Sequence, residues 1–87
     1  MSFQAEFLEA GTLIVHQPRN HTYVLLFKTM VKKAEGGWEY GWIYKKVENI
    51  RVIHDEVLFD VEEEGEGELF TRAFSLFDDD WKLTQTP

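Results

Sequence analysis

The 87-residue chain contains no cysteine. That excludes a disulfide framework, a thiolate zinc site and a cysteine nucleophile, and it points to a reducing compartment. Proline is rare, with two residues, and no proline- or serine-rich stretch marks a linker. No repeat with a period of about 20–50 residues is present either, so residues 1–87 read as a single domain. Long hydrophobic runs are also missing. The longest, residues 23–27, is far short of the roughly 20 residues that a membrane-spanning helix needs. The opening Met1-Ser2-Phe3-Gln4-Ala5-Glu6 lacks the basic-then-apolar pattern of a signal peptide. These features predict a cytoplasmic protein. Basic residues are in the minority, 9 Lys+Arg against 16 Asp+Glu for a net charge of -7, which argues against a generic basic nucleic-acid binder. A domain of this size buries only about 60–65% of its unfolded surface. That leaves no room for a substrate cleft beside a separate cofactor module, so neither an enzyme nor a cofactor is expected.

What the chain does have is apolar and aromatic material, at 44% and 15% of its residues. This is enough for a packed core and too much for a disordered acidic tail. Its charge is segregated. Residues 11–54 carry seven bases against three acids, whereas residues 55–80 carry eleven acids against Arg72 alone, a local balance of -10. The net charge therefore hides a polar molecule, basic in its first half and acidic in its second.

β-branched and aromatic residues recur at short spacing. Residues 12–17 (TLIVHQ) and 22–32 (TYVLLFKTMVK) flank the turn residues Pro18, Arg19, Asn20 and His21, which predicts a hairpin with Gln17 opposite Thr22. Residues 38–47 alternate Trp38, Tyr40, Trp42 and Tyr44 with other residues, a strand pattern. The turn Ala34-Glu35-Gly36-Gly37, taken as a four-residue loop, sets Lys33 opposite Trp38. Phe27, Thr29 and Val31 then share a face with the aromatic residues, which become core. Gly41 inside this strand predicts a bulge or sharp bend. Residues 56–61 (EVLFDV) and 68–72 (ELFTR) predict a third hairpin across Glu64-Gly65-Glu66-Gly67. Residues 49–55 are an extension of the preceding strand or a connector, and residues 2–9 a strand or one helical turn. The tail from Ala73 fits a helical turn, an Asp-rich turn and a short closing strand. The expected fold is mainly β: a small SH3-like barrel or strongly curled antiparallel sheet of five to six strands, with at most one short helical turn.

The stretches Ile14-Val15-His16, the turn from Pro18 to His21, Tyr23-Val24-Leu25-Leu26, Tyr44 and Phe70-Thr71-Arg72-Ala73-Phe74-Ser75-Leu76-Phe77 follow a recognisable order. It resembles a family of small phage and bacterial proteins of unknown function, with the pattern Tyr-Arg-His, polar turn, Tyr-x-Val-Leu, Tyr, Trp-Val-Arg-Pro-x-x-x-Phe. The resemblance covers about two-thirds of the chain. Ala73 stands where the family has proline, and the acidic stretch 60–68 looks like an insertion. The resemblance implies a small curled β-sheet and a phage origin, and it carries over no catalytic residue.

Among chemistry-bearing side chains, Ser2 and Ser75 have no base nearby in sequence. His16, His21 and His54, with Asp55 or Asp78, have poor spacing for a metal, and none is expected. Two surfaces remain. The acids Glu62, Glu63, Glu64, Glu66, Glu68, Asp78, Asp79 and Asp80, held on a β scaffold, predict a non-enzymatic protein-binding domain. Such a domain would mimic nucleic acid and act as a phage-encoded inhibitor or modulator of a nucleic-acid-handling host protein, through that partner's basic surface. The alternative is a small barrel that binds single-stranded nucleic acid through Lys32, Lys33, Trp38, Lys45 and Lys46.

Overall fold

The computed structural model describes residues 4–61 and 69–84. They form a six-stranded antiparallel sheet: β1 (Leu13–His16), β2 (His21–Lys32), β3 (Trp38–Ile53), β4 (Glu56–Val61), β5 (Leu69–Ala73) and β6 (Trp81–Leu83). The path runs β4-β3-β2-β1-β6, and β5 pairs with β3. Helical structure among the described residues is limited to two single 3-10 turns, Ala5–Phe7 and Phe74–Leu76. The mainly β expectation holds in its curled-sheet form, since the sheet does not close. The Trp81 ring on β6 lies 5.7 Å from the Tyr44 ring on β3 although two strands separate them. A flat sheet would set those strands about 14 Å apart. The outer strands approach each other in the same way. Val57 and Phe59 of β4 share an apolar groove of about 360 Å³ with Leu13 and Leu83, and no ladder joins them.

Three registers differ from expectation. In the first hairpin His16 pairs with His21, and Ile14 with Tyr23. This is a slip of two residues from the Gln17–Thr22 pairing, so every side chain keeps its face. In the second, Lys32 pairs with Trp38, a slip of one. The cause is the loop. Gly36 N–H donates to the Lys33 carbonyl and Lys33 N–H donates to the Gly37 carbonyl, with both glycines at positive φ (97° and 83°). Lys33 is drawn into the turn, and the extra left-handed residue works as a bulge. A one-residue slip exchanges faces, so Lys28, Met30 and Lys32, not Phe27, Thr29 and Val31, stand opposite Trp42, Tyr40 and Trp38. A second irregularity between Leu25 and Phe27 restores the phase, and Leu25 returns to face Tyr44.

The third difference is topological. β4 and β5 do not form a hairpin; both pair with β3, end to end along one edge. Val61 stands opposite Val47 and Leu69 opposite Lys45, so residues 62–68 intervene between near-adjacent positions on a single edge. Residues 49–53 extend β3, and Ile53 pairs with Glu56 across a two-residue turn in which His54 (φ 52°) and Asp55 (φ 66°) are both left-handed, the type I′ geometry. Gly41 interrupts neither ladder. A Cβ built there would lie 2.2 Å from the Arg72 carbonyl oxygen. The glycine therefore permits the close approach of β5 in place of the expected bulge or bend.

The core gathers on one face. Ile14, Tyr23, Leu25, Trp42, Tyr44, Phe77 and Trp81 are buried together with Ala5, and Leu8, Phe70 and Phe74 pack against them. Tyr44 stacks on Phe70 at 5.5 Å and meets Tyr23 edge-on at 5.2 Å, the offset and T-shaped contacts that aromatic quadrupoles favour. The two 3-10 turns flank this face, and Trp42 Nε1–H donates to the Ala5 carbonyl at 2.8 Å.

Candidate functional site

The aromatic stripe of β3 divides. Trp42 and Tyr44 are 2% and 4% exposed, but Trp38 and Tyr40 are 61% and 58% exposed. The reading of all four as core, backed by Phe27 and Val31, is therefore wrong for its distal half. Phe27 lies on the opposite face and is 55% exposed. The physical reason is extent. β2 and β3 run on past the core-flanking turns as a hairpin, so among the described residues no layer covers Trp38 and Tyr40 at its distal end. On that end one face carries Trp38, Tyr40, Met30 and Lys32, with Lys28 at the boundary to the core.

The bases there are handled differently. The Lys28 ammonium donates to the Glu6 carbonyl at 2.9 Å and sits 5.4 Å from the Trp42 ring centre, a cation–π contact. Lys32 is exposed and makes no ion pair among the described residues. Lys33 is engaged by Glu35 at 3.6 Å and Glu39 at 3.8 Å. Glu39 in turn accepts the Ser75 backbone N–H at 2.8 Å and the Ser75 hydroxyl at 2.9 Å. These bonds, with Lys33 adding to them, hold the Glu39 carboxyl below its ordinary value. An ionised carboxylate held in this way is a poor general base, so the Ser75–Glu39 pair works as a clamp between β3 and the second 3-10 turn. The pair is 36 residues apart in sequence, and no local pattern announces it.

The expected nucleic-acid set is not assembled. Of Lys32, Lys33, Trp38, Lys45 and Lys46, only Lys32 and Trp38 stand opposite each other. Lys45 and Lys46 lie seven and eight residues further along β3, roughly 24–27 Å away, and on alternate faces. Lys46 is also paired with Glu48 at 3.9 Å. The sequence reading placed Tyr40 in the core and left Met30 out of the exposed face. The paired glycines of the loop were the available signal, because a glycine bulge adds a residue to the hairpin.

Of the acidic set, Glu62, Glu63, Glu64, Glu66 and Glu68 lie outside the described residues. Asp78, Asp79 and Asp80 are exposed and form the turn into β6. The Asp80 N–H donates to an Asp78 carboxylate oxygen at 3.0 Å, and the Gln17 N–H donates to the Asp80 carbonyl at 2.8 Å. None of the three makes an ion pair with a described residue. Arg72, the lone base of the acidic segment, is turned to the core face. Its guanidinium lies 5.1 Å from the Trp81 ring centre, and its Nε–H donates to the Tyr44 hydroxyl.

One row of paired residues crosses the whole sheet: Val61, Val47, Thr22, Val15 and Lys82. Residues 62–68 begin at one end of this row, and the 78–80 turn ends one residue before β6 at the other. His16 and His21 stand opposite each other on the adjacent row, while His54 sits in the distant β3–β4 turn. The described residues bring no three metal-ligating side chains together, and no helix among them is long and apolar enough to cross a membrane. No family model, curated protein or solved structure matches the chain.

Proposed function

We propose that the chain is a non-enzymatic, cytoplasmic protein-binding domain that presents acidic charge to the basic surface of a nucleic-acid-handling partner, as an inhibitor or modulator. The observation that carries this reading is the shared row. Val61, which precedes the first acidic segment, and Lys82, two residues after the 78–80 turn, stand at the two ends of that row, four strand spacings or at most about 19 Å apart across the sheet. Asp78, Asp79 and Asp80 are exposed and tied to the sheet through the Gln17 N–H, so they meet a basic groove without first being ordered, which favours fast, salt-sensitive association. Lys45, Lys46 and Lys82 lie on or beside the row. They offset part of the charge, and Lys46 is already neutralised by Glu48.

The test is competition. A basic nucleic-acid-binding partner captured on the immobilised protein should be released by added duplex DNA and by salt. Replacing Asp78, Asp79, Asp80, Glu62 and Glu64 with lysine should abolish capture. Capture that survives this charge reversal, or that DNA does not displace, refutes the proposal.

A further inference from the structure

The distal β2–β3 face is a second surface, independent of the acidic end. We propose that Trp38, Tyr40, Met30, Lys32 and Lys28 form a stacking platform for single-stranded nucleic acid. Trp38 and Tyr40 occupy alternate positions of one strand, so their backbones are about 6.8 Å apart on the same side of the sheet. Lys32 stands directly opposite Trp38, and Met30 opposite Tyr40. Two exposed rings flanked by cations are the elements with which β-sheets hold successive unstacked bases and their phosphates.

Charge complementarity favours this occupant. Lys32 makes no ion pair among the described residues, and the Lys28 ammonium is held only by a carbonyl and by ring faces. The neighbouring acid of β3, Glu39, is on the opposite face and is held by Ser75 and Lys33. The described acids Asp78, Asp79 and Asp80 are remote from this face. They precede Trp81, which shares a row with His16 and His21, and Lys32 lies eleven residues along β2 from His21, about 36 Å, more than three Debye lengths at 0.1 M salt. Flatness favours it too. A protein ligand anchors its hot-spot side chains in pockets, yet neither apolar groove of the described residues is lined by Trp38, Tyr40 or Met30.

The experiment titrates the intact protein with an oligothymidylate of about 12 nucleotides. Of the three tryptophans only Trp38 is exposed, so stacking should quench its emission and leave that of Trp42 and Trp81 in place. Anisotropy of a labelled oligonucleotide should show Trp38→Ala weakening binding by about fivefold or more, with Tyr40→Ala acting in the same direction. Two phosphate contacts give a salt slope of about -1.4, so affinity should fall about sevenfold between 50 and 200 mM salt, with Lys28→Glu and Lys32→Glu flattening the slope. Both aromatic positions are at the surface, so the variants should keep the wild-type melting curve. Absence of quenching at low salt overturns the proposal, as does binding that Trp38→Ala leaves intact. Displacement of the oligonucleotide by an acidic aromatic peptide at equal concentration would assign the face to protein. Self-association lost in Trp38→Ala would assign it to a second copy. Either of these outcomes also overturns the proposal. Lysine substitutions at Asp78, Asp79 and Asp80 should leave oligonucleotide binding undiminished, which separates failure here from failure of the acidic-surface reading.

Discussion

Trp38 and Trp42 sit on one face of one strand, four residues apart, and the structure assigns them opposite energetic roles. Truncating Trp42 to alanine removes a side chain that is 2% exposed, a change that costs about 3–5 kcal/mol in a core. It also removes the indole donor to the Ala5 carbonyl, worth about 1 kcal/mol. That carbonyl still accepts the Leu8 N–H at 3.3 Å, so the lower end of the hydrogen-bond range applies. Loss of the Lys28 contact adds about 0.5 kcal/mol. The total, about 4–6 kcal/mol, compares with a whole-domain stability of about 4–13 kcal/mol for a chain of this length. Trp42→Ala should therefore be largely unfolded or close to it, whereas Trp38→Ala should change stability by no more than about 0.5 kcal/mol. Urea denaturation followed by far-UV circular dichroism reads both without relying on tryptophan emission. Comparable midpoints for the two variants would refute the division of the stripe and the register that produces it.

Other substitutions probe separate parts of the fold. Gly41→Ala should cost about 1–3 kcal/mol, because its methyl would meet the Arg72 carbonyl at 2.2 Å; a thermal melt unchanged from wild type would contradict the close approach of β5. Replacing Asp55 with glycine should stabilise the protein by up to about 1 kcal/mol, since its φ of 66° is one that glycine adopts without strain; the urea midpoint should rise. Glu39 has a folded-state pKa lowered by its bonds to Ser75. Its contribution to stability is therefore complete above its ordinary value of 4.5 and fades as pH falls through the lowered one. Ser75→Ala should reduce that acid-side loss, and a melting-temperature profile on the acid side that is identical in the two proteins would contradict the clamp. Asp60 behaves in the same sense. The Asn49 amide, and then Arg51, hold its carboxyl low, so Asn49→Ala should also reduce acid sensitivity.

The sequence by itself determined the class of the fold and most of its elements. Alternation of period two, turn residues and β-branched runs are local properties, so residues 56–61 and the turn-and-strand character of the tail could be read directly. The apolar residues shared by Ile14, Tyr23 and Leu25 survived even a two-residue slip, because such a slip leaves every side chain on its own face. Tertiary structure decided what depends on counting one residue or on partners far away in the chain. The glycine bulge at Gly37 moved β2 by one position, and with it exchanged which residues back Trp38, Tyr40 and Trp42. The joint pairing of β4 and β5 with β3 replaced a hairpin that the Glu-Gly turn made plausible, because the long β3 offers one continuous edge to both. Exposure of Trp38 and Tyr40 was likewise undecidable from their alternation. A stripe of period two fixes a shared face, but only the reach of the layer above it determines how much of that stripe is covered. The two 3-10 turns, joined to Trp42 and Glu39 by bonds spanning 37 and 36 residues, set that limit.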